Sequence, residues 1–443
     1  MTEIAGHRVD ASMWSYIARH AGDDALKLML RQEPGLSFDK RFAVLQVECR
    51  HKLRRKIPEL LAHERFLFPK AVSAEQCTHQ EVAKLHASLF DSTHTVLDLT
   101  MGLGVDDYYI ASRVRALTAV ELDPEIAAVG QYNFGFLNPN VKVLHADSVQ
   151  LLKSMLPQEH YDAIFVDPAR RGQDGRRLYG LSQCQPDVLA IMPLIARHCR
   201  RLVIKASPML DLSQSRADLG APLAQVWAVS VKNECKELLF VLDFDSQPAG
   251  IALHALNYDD GWHDFATTAA GGAAHDAAPG VPVAGGFLYE PHASVMKLGC
   301  HAAVQAATGT AQLAPNSHLY AGDRLVRDFP GRKFVVKEVI PFNGRQLKQL
   351  GKRCERLNIA TRNFKLTPEA LKKRLKVGDG GSDYLFATTL ADGSAVLLLW
   401  EKISNHLMRR NRQNAPTENK THSAAMKVKA HARCSKGRAT FMP

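Results

Sequence analysis

The sequence predicts an α/β fold: a seven-stranded, mostly parallel sheet set between an N-terminal helical region and a C-terminal α+β region. Three observations predict it. From about 94 to 244, short apolar runs alternate with helix-patterned stretches, the signature of a parallel sheet with crossover helices. The first run leads into a Gly-x-Gly turn, and four successive runs end in acidic residues. The last two runs are separated only by Lys232–Lys236, too short for a parallel crossover, so they form an antiparallel hairpin.

Length and composition agree with this class. A chain of 443 residues suits two or three domains, and 46% hydrophobic with 23% charged residues excludes a disordered or fibrous protein. The net charge is +11, but Ser404–Pro443 holds nine Lys/Arg against one Glu, so about +8 belongs to the tail. The body is only mildly basic, and composition by itself does not require a nucleic-acid partner. Eight scattered cysteines without a C-x-x-C pair give no zinc or disulfide framework, and no metal site is expected. The first residues lack a secretory pattern and no long apolar run occurs, so a soluble cytoplasmic protein with no membrane partner is expected.

Residues 1–92 are predicted as an N-terminal helical domain. DDALKLMLRQ and KRFAVLQVECRHKLRRKIPELLAHE repeat apolar residues at three- and four-residue spacing, with Pro58 ending or kinking the second. An amphipathic helix, EQCTHQEVAKLHASLF, follows Ser73. Residues 93–247 hold the sheet, whose strands are TVLDLT, ALTAVEL, VKVLHA, YDAIFVD, RLVIKAS, QVWAVSV and ELLFVLDF. Residues 248–330 are expected to be a linker, rich in Gly, Ala and Pro, and then a small α+β segment. Across 331–403, FVVKEVIPF, NGRQLKQLGKRCERLN, IATRNF and TPEALKKRLKV alternate strand and helix before a hairpin turning at Asp392-Gly393. Thr367-Pro368 is a good helix start. The polar, basic tail 404–443 is predicted to be disordered.

The chemistry concentrates in VLDLTMGLGVDD. Gly102 and Gly104 let the backbone turn tightly and approach a ligand, although Asp107 stands where a third dinucleotide-loop glycine would be. Glu121 and Asp123 end the second strand, where a carboxylate can accept both ribose hydroxyl hydrogens. Asp147 ends the third and Asp167-Pro168-Ala169-Arg170-Arg171 the fourth, on the rim where open α/β sheets bind ligands. Each acid by itself is equally a helix cap; four at successive strand ends point to one site.

This set of residues resembles the class I S-adenosylmethionine-dependent methyltransferases. More closely, KIPELLAHERFLFPKAVSAEQCT, DPARRG, VIKASPMLDL, NECKELLF, EPHASVMKLGC, PNSHLY, RNFKLTPEALKKRLK and GGSDYLFATTL are similar to bacterial methyltransferases with a THUMP-like C-terminal domain. The resemblance implies a Rossmann-like seven-stranded domain, S-adenosylmethionine as cofactor and structured RNA, tRNA or rRNA, as partner. It places Asp98, Thr100, Gly102 and Gly104 around the methionine part of the cofactor, Glu121 on the ribose and Asp147 on the adenine. It also places the segment with Gln76 and Thr78 over the pocket, where capping is the alternative role.

The residues after the fourth strand bear on the acceptor. Amino-methylating enzymes typically carry Asp/Asn/Ser-Pro-Pro-aromatic; here Asp167 and Pro168 match, while Ala169 and Arg170 depart. Enzymes that methylate uracil at carbon need a cysteine after the fifth strand, and Lys205–Asp211 contains none. Cys235 is a weak substitute. A nitrogen or oxygen acceptor is therefore expected, with Asp167 holding or deprotonating it and Lys205 adding positive charge; a plain Lys205–Asp211 ion pair is the alternative. Arg170, Arg171, Arg176 and Arg177 suit phosphates or form a solvated loop, and Tyr179 either stacks on a base or packs. By the same resemblance Arg362, Lys372, Lys373 and Arg374 contact RNA, or line an exposed helix face. The rival functions are a small-molecule or protein methyltransferase and a cofactor-binding RNA assembly factor without transfer activity.

Overall fold

The structure is a computed structural model; it describes residues 2–170, 180–246, 248–269 and 278–403, without the side chain of Arg170. The predicted disorder of the tail 404–443 lies outside the described residues.

The N-terminal region opens with a hairpin, β1 (Thr2–Ile4) and β2 (His7–Val9), which helical periodicity did not predict. Helices α1 (Ala11–Arg19), α2 (Ala25–Leu30), α3 (Lys40–Leu53), α4 (Pro58–Leu61), α5 (Ala71–Gln76) and α6 (Gln80–Ala87) follow. Asp10 and Asp39 cap α1 and α3 through the backbone N–H groups two and three residues on. Pro58 starts α4 rather than kinking a longer helix. The single helix expected after Ser73 is two, because Cys77 is extended and His79 caps α6. The extended segment Phe66–Phe68 is clamped by buried amides. Gln46 of α3 exchanges hydrogen bonds with the Phe68 backbone at 2.8 and 2.9 Å. Asn133 does the same for Leu67, both bonds at 2.9 Å.

The central sheet contains β3 (Thr95–Asp98), β4 (Ala116–Glu121), β5 (Val141–His145), β6 (Tyr161–Val166), β9 (Cys199–Ala206), β10 (Leu223–Val231) and β11 (Glu234–Asp243). A two-residue ribbon, β7 (Ala169–Arg170) with β8 (Cys184–Gln185), stands apart from it. The order β10-β11-β9-β6-β3-β4-β5 contains the seven expected strands, with β11 inserted antiparallel between β9 and β10. Two more strands, β12 (Ala252–Tyr258) and β13 (Trp262–Thr268), extend the edge to nine. The 252–268 stretch thus belongs to the large sheet rather than to a linker. Its side chains mix polar and apolar types, so it carries no clean strand pattern.

Both faces of the sheet are covered, which explains its nearly continuous apolar runs. Ile164, Val166, Leu202 and Ile204 face α9 (Ser148–Ser154), α10 (Val188–His198) and α11 (Leu212–Leu219). The alternate residues Ala163, Phe165 and Val203 pack toward α3, α6 and α7 (Val105–Ala111). Helix α8 (Pro124–Leu137) flanks β4 and β5.

Beyond β13 a second sheet of seven strands forms in the order β15-β16-β14-β17-β20-β19-β18. Its members are β14 (Phe287–Pro291), β15 (Ala311–Gln312), β16 (Tyr320–Gly322), β17 (Gly331–Pro341), β18 (Arg356–Arg362), β19 (Gly378–Thr389) and β20 (Ala395–Lys402). Helices α12 (Ala293–Leu298), α13 (His301–Thr308), α14 (Gly344–Arg353) and α15 (Pro368–Leu375) accompany them. Gly299, with φ of +68°, ends α12 and separates it from α13. Thr367 caps α15 as its sequence suggests, accepting from Ala370 N at 3.2 Å. Among the described residues no helix is long and apolar enough to cross a membrane.

Candidate active site

The site lies at the carboxyl ends of the central strands. After β3 the chain turns through Leu99–Gly104 into α7, tied to both neighbours by Leu99 N to Phe165 O at 3.0 Å and Met101 N to Val120 O at 2.9 Å. Gly102 and Gly104 have φ of +58° and +78°, a region that disfavours other residues. Their surroundings differ. A Cβ on Gly104 would lie 2.7 Å from the Phe134 ring, whereas one on Gly102 would meet nothing within 4 Å. Gly104 is thus needed for packing, and Gly102 leaves bare backbone facing open space. Glu121 accepts from Gly102 N and, with its other oxygen, from Asp123 N, both at 2.9 Å.

Beneath the loop lie Asp98 and Asp107, both buried. Asp98 accepts from Thr100 N at 2.7 Å. Burial, reinforced by the charge of Asp106, outweighs that bond and pushes its pKa up to about 7. Burial and the neighbouring Asp98 raise Asp107 far above the carboxylate range, so Asp107 is the neutral acid of the pair.

The next two strands supply a second cluster. In the β6–β9 register Val166 lies opposite Ile204, which sets the following residues, Asp167 and Lys205, side by side. Lys205 Nζ reaches Asp167 Oδ2 at 2.6 Å, Thr78 Oγ1 at 2.8 Å and Asp106 Oδ2 at 3.4 Å. Three acceptors match its three donors. Burial disfavours the ammonium, but the charges of Asp106 and Asp167 more than compensate and raise the Lys205 pKa. Asp167 opens onto the cavity with 41% of its side chain accessible. The recess still raises its pKa by limiting hydration, with Lys205 opposing. Among the described side chains no donor occupies its Oδ1.

These groups line one cavity of about 1360 Å³. It collects Gln76, Thr78, Asp98, Thr100, Gly102, Gly104, Glu121, Asp147, Asp167, Pro168 and Lys205, eleven of the residues expected from the sequence. Asp147 lines the cavity and also caps α9, accepting from Val149 N at 2.8 Å. The break between α5 and α6 turns Thr78 inward, and Lys70, bridged to Asp123 and Glu125, ties this segment to α8.

Other expected residues lie elsewhere. Asp211 does not pair with Lys205; it caps α11, accepting from Gln214 N at 2.8 Å. Cys235 is no activated nucleophile, since burial pushes its thiol up to about 11. Arg362 is held by the buried Glu290, Nε to Oε1 at 2.8 Å, and Lys372 by Asp379 at 2.6 Å, so both have partners within the fold. Lys373 and Arg374 are exposed on α15. The Arg170 side chain, Arg171, Arg176, Arg177 and Tyr179 lie outside the described residues. Among the described residues no group of three or more His, Cys, Asp or Glu is arranged to hold a metal ion.

Sequence reasoning missed Asp106, His86 and Glu237. His86 Nδ1 lies 2.8 Å from Asp106 Oδ1, and its Nε2 faces Glu237 Oε1. Burial opposes its charge, but Glu237 and Asp106 outweigh this and hold its pKa up to about 9. The sequence carried no clear signal for them: Glu237 stands beside Lys236, directly before the apolar run of β11, and only the fold buries it.

Comparison with known proteins gives this arrangement a family. Residues 287–330 match a ferredoxin-like domain and residues 331–402 a family described as THUMP domain-like. An uncharacterized RNA methyltransferase of Mycoplasma mobile is 31% identical over 99 residues, 21% of this chain; the match spans about a quarter, 27%, of that relative's length. A solved structure of a candidate methyltransferase from Porphyromonas gingivalis W83 is 30% identical, aligned over 88% of this chain and 98% of its own, with a TM-score of 0.79. The chain belongs to that family: it is a methyltransferase with a class I α/β sheet and a THUMP-like C-terminal segment.

Proposed function

We propose that the protein is an S-adenosylmethionine-dependent RNA methyltransferase acting on a nitrogen or oxygen of a nucleoside in structured RNA, tRNA or rRNA. The observation that carries this reading is the shared cavity in which the bare Gly102 backbone, Glu121 and Asp147 lie along one rim with the Asp167–Lys205 pair. When bound, the cofactor supplies a methyl group on a sulfonium, a good leaving group, so positioning can provide most of the catalysis. The residues present fit it. Gly102 admits close approach, the acidic rim suits hydroxyl and amino groups, and the volume exceeds the roughly 300–1,000 Å³ typical of one ligand. That excess leaves room for an acceptor base beside the cofactor.

Asp167 favours an acceptor bearing a hydrogen. Its Oδ2 is taken by Lys205, and Oδ1 can accept from an N–H or O–H, aiming the lone pair of that atom inward. Lys205, fully engaged, acts as a counter-charge rather than as a base. The 331–403 region is read as RNA-binding because its match is THUMP domain-like and because Lys373 and Arg374 are exposed on α15, Arg374 over the Phe342 ring. The name of the Mycoplasma mobile relative supports RNA as substrate. The test is nucleoside mass spectrometry of RNA from a deletion strain complemented with parent or Asp167→Ala protein. One methylated nucleoside should vanish on deletion, return with the parent and stay absent with the variant. Its return with Asp167→Ala would refute the catalytic role.

A further inference from the structure

Behind Lys205 the structure holds a line of buried charged groups that substrate holding does not by itself require. It runs Glu237–His86–Asp106–Lys205–Asp167 and draws on β11, α6, α7, β9 and the end of β6. His86 is completely buried, with Asp106 of α7 at one ring nitrogen, Glu237 of β11 at the other and the Phe165 ring of β6 at 5.8 Å. Beyond these partners stand Lys205, Asp167, Asp98 and Asp107. Both His86 nitrogens meet carboxylate oxygens, so both must donate, and the ring is an imidazolium. Asp106 then receives donors from His86, Thr78 and Lys205. Along the line Glu237 Oε1, both His86 nitrogens, both Asp106 oxygens, Lys205 Nζ and Asp167 Oδ2 are engaged, while Asp167 Oδ1 meets no donor among the described side chains and opens onto the cavity.

We propose that His86 is a positioning residue for methyl transfer: by neutralising Asp106 it leaves Lys205 bound to one oxygen of Asp167 and keeps the other turned toward the acceptor. This rests on the reading of Asp167 given above. Without the imidazolium, Asp106 carries an uncompensated buried charge and draws the Lys205 ammonium away from Asp167. Glu237 acts one step further back, by keeping His86 protonated.

The test compares parent, His86→Gln and Glu237→Gln proteins, using S-adenosylmethionine labelled in its methyl group and total RNA from a strain lacking the gene. A glutamine carries its donors on a single nitrogen, which cannot face both carboxylates as the two ring nitrogens do. His86→Gln should therefore lower kcat by about a hundredfold, as a misplaced reacting group does, with KM for cofactor and RNA within about twofold. Glu237→Gln keeps shape and hydrogen bonding but removes one charge facing His86. Its kcat should match the parent at acid pH and fall as pH rises through the neutral range, where the parent stays level. Histidine proton resonances should show His86 titrating at least about one pH unit lower in that variant.

A Glu237→Gln profile that overlays the parent's would overturn the proposal. So would a His86→Gln protein with lowered melting temperature but parental kcat at saturating substrates, because that is a purely structural role. If the parent itself transfers no label to any RNA, the functional reading fails and takes this proposal with it. Label from the parent with unchanged variants sinks the proposal alone.

Discussion

Lys205 Nζ lies 2.6 Å from Asp167 Oδ2, at the ends of adjacent parallel strands and 38 residues apart in sequence. The register of β6 and β9 places the two backbones abreast, and Thr78 and Asp106 close around the ammonium. The pair therefore presents one carboxylate oxygen in a fixed direction rather than a mobile acid.

If that oxygen holds the acceptor, Asp167→Asn should cut methyl transfer by at least about a hundredfold while cofactor affinity changes little. Lys205→Met should do the same and also destabilise the fold, since it leaves Asp106 and Asp167 without their shared cation. Single-turnover rates beside calorimetric cofactor titrations check both.

Gly102 and Gly104 should fail differently. Gly104→Ala combines left-handed φ with a 2.7 Å approach to Phe134, and should lower the melting temperature of the free protein. Gly102→Leu meets open space, so its folding penalty should be only about 1–2 kcal/mol of backbone strain. S-adenosylmethionine should raise the melting temperature of the parent, and Gly102→Leu should abolish that shift. Melting curves with and without cofactor separate the two effects.

His86 makes stability pH-dependent in a definite direction. Its folded pKa, about 9, is above the ordinary 6.5, so the folded state binds the proton more tightly. That stabilisation is complete below pH 6.5 and drains away as pH rises to about 9. Urea midpoints should fall across this window in the parent, and His86→Gln should flatten that part of the curve.

Asp211 provides a contrast to the Asp167 variants. It caps α11 and does not touch Lys205. Asp211→Ala should cost about 1 kcal/mol of stability and leave kcat unchanged. A large loss of kcat with Tm intact would place Asp211 in the reaction instead.

The α15 surface should matter only for RNA. Replacing Lys373 and Arg374 by alanine should raise KM for RNA, leave cofactor binding alone and shallow the salt dependence of RNA affinity by up to about two units of slope. Filter binding over a salt series measures that slope.

Much of this was legible in the chain because its signals are local. Strand alternation, the Gly-x-Gly turn and the acids closing β3 to β6 depend on residues a few positions apart, and they named Gly102, Gly104, Glu121, Asp147 and Asp167 of the cavity lining. Other features gave no such signal. The α5–α6 break is hidden by helical spacing that continues through Cys77 and Thr78. Strands β12 and β13 exist because the β10 edge offers unpaired backbone, which a weakly patterned segment can fill.

The sequence by itself determined the α/β class, the order of the first strands and the glycine turn, since periodicity and backbone chemistry act over short range. Only the tertiary structure decided which charge meets which. Asp211 was spatially unavailable to Lys205, whereas His86 meets Glu237 across 151 residues. Partners of that kind are selected by strand register and by the cost of leaving a buried charge unpaired, and neither is written in any single stretch of chain.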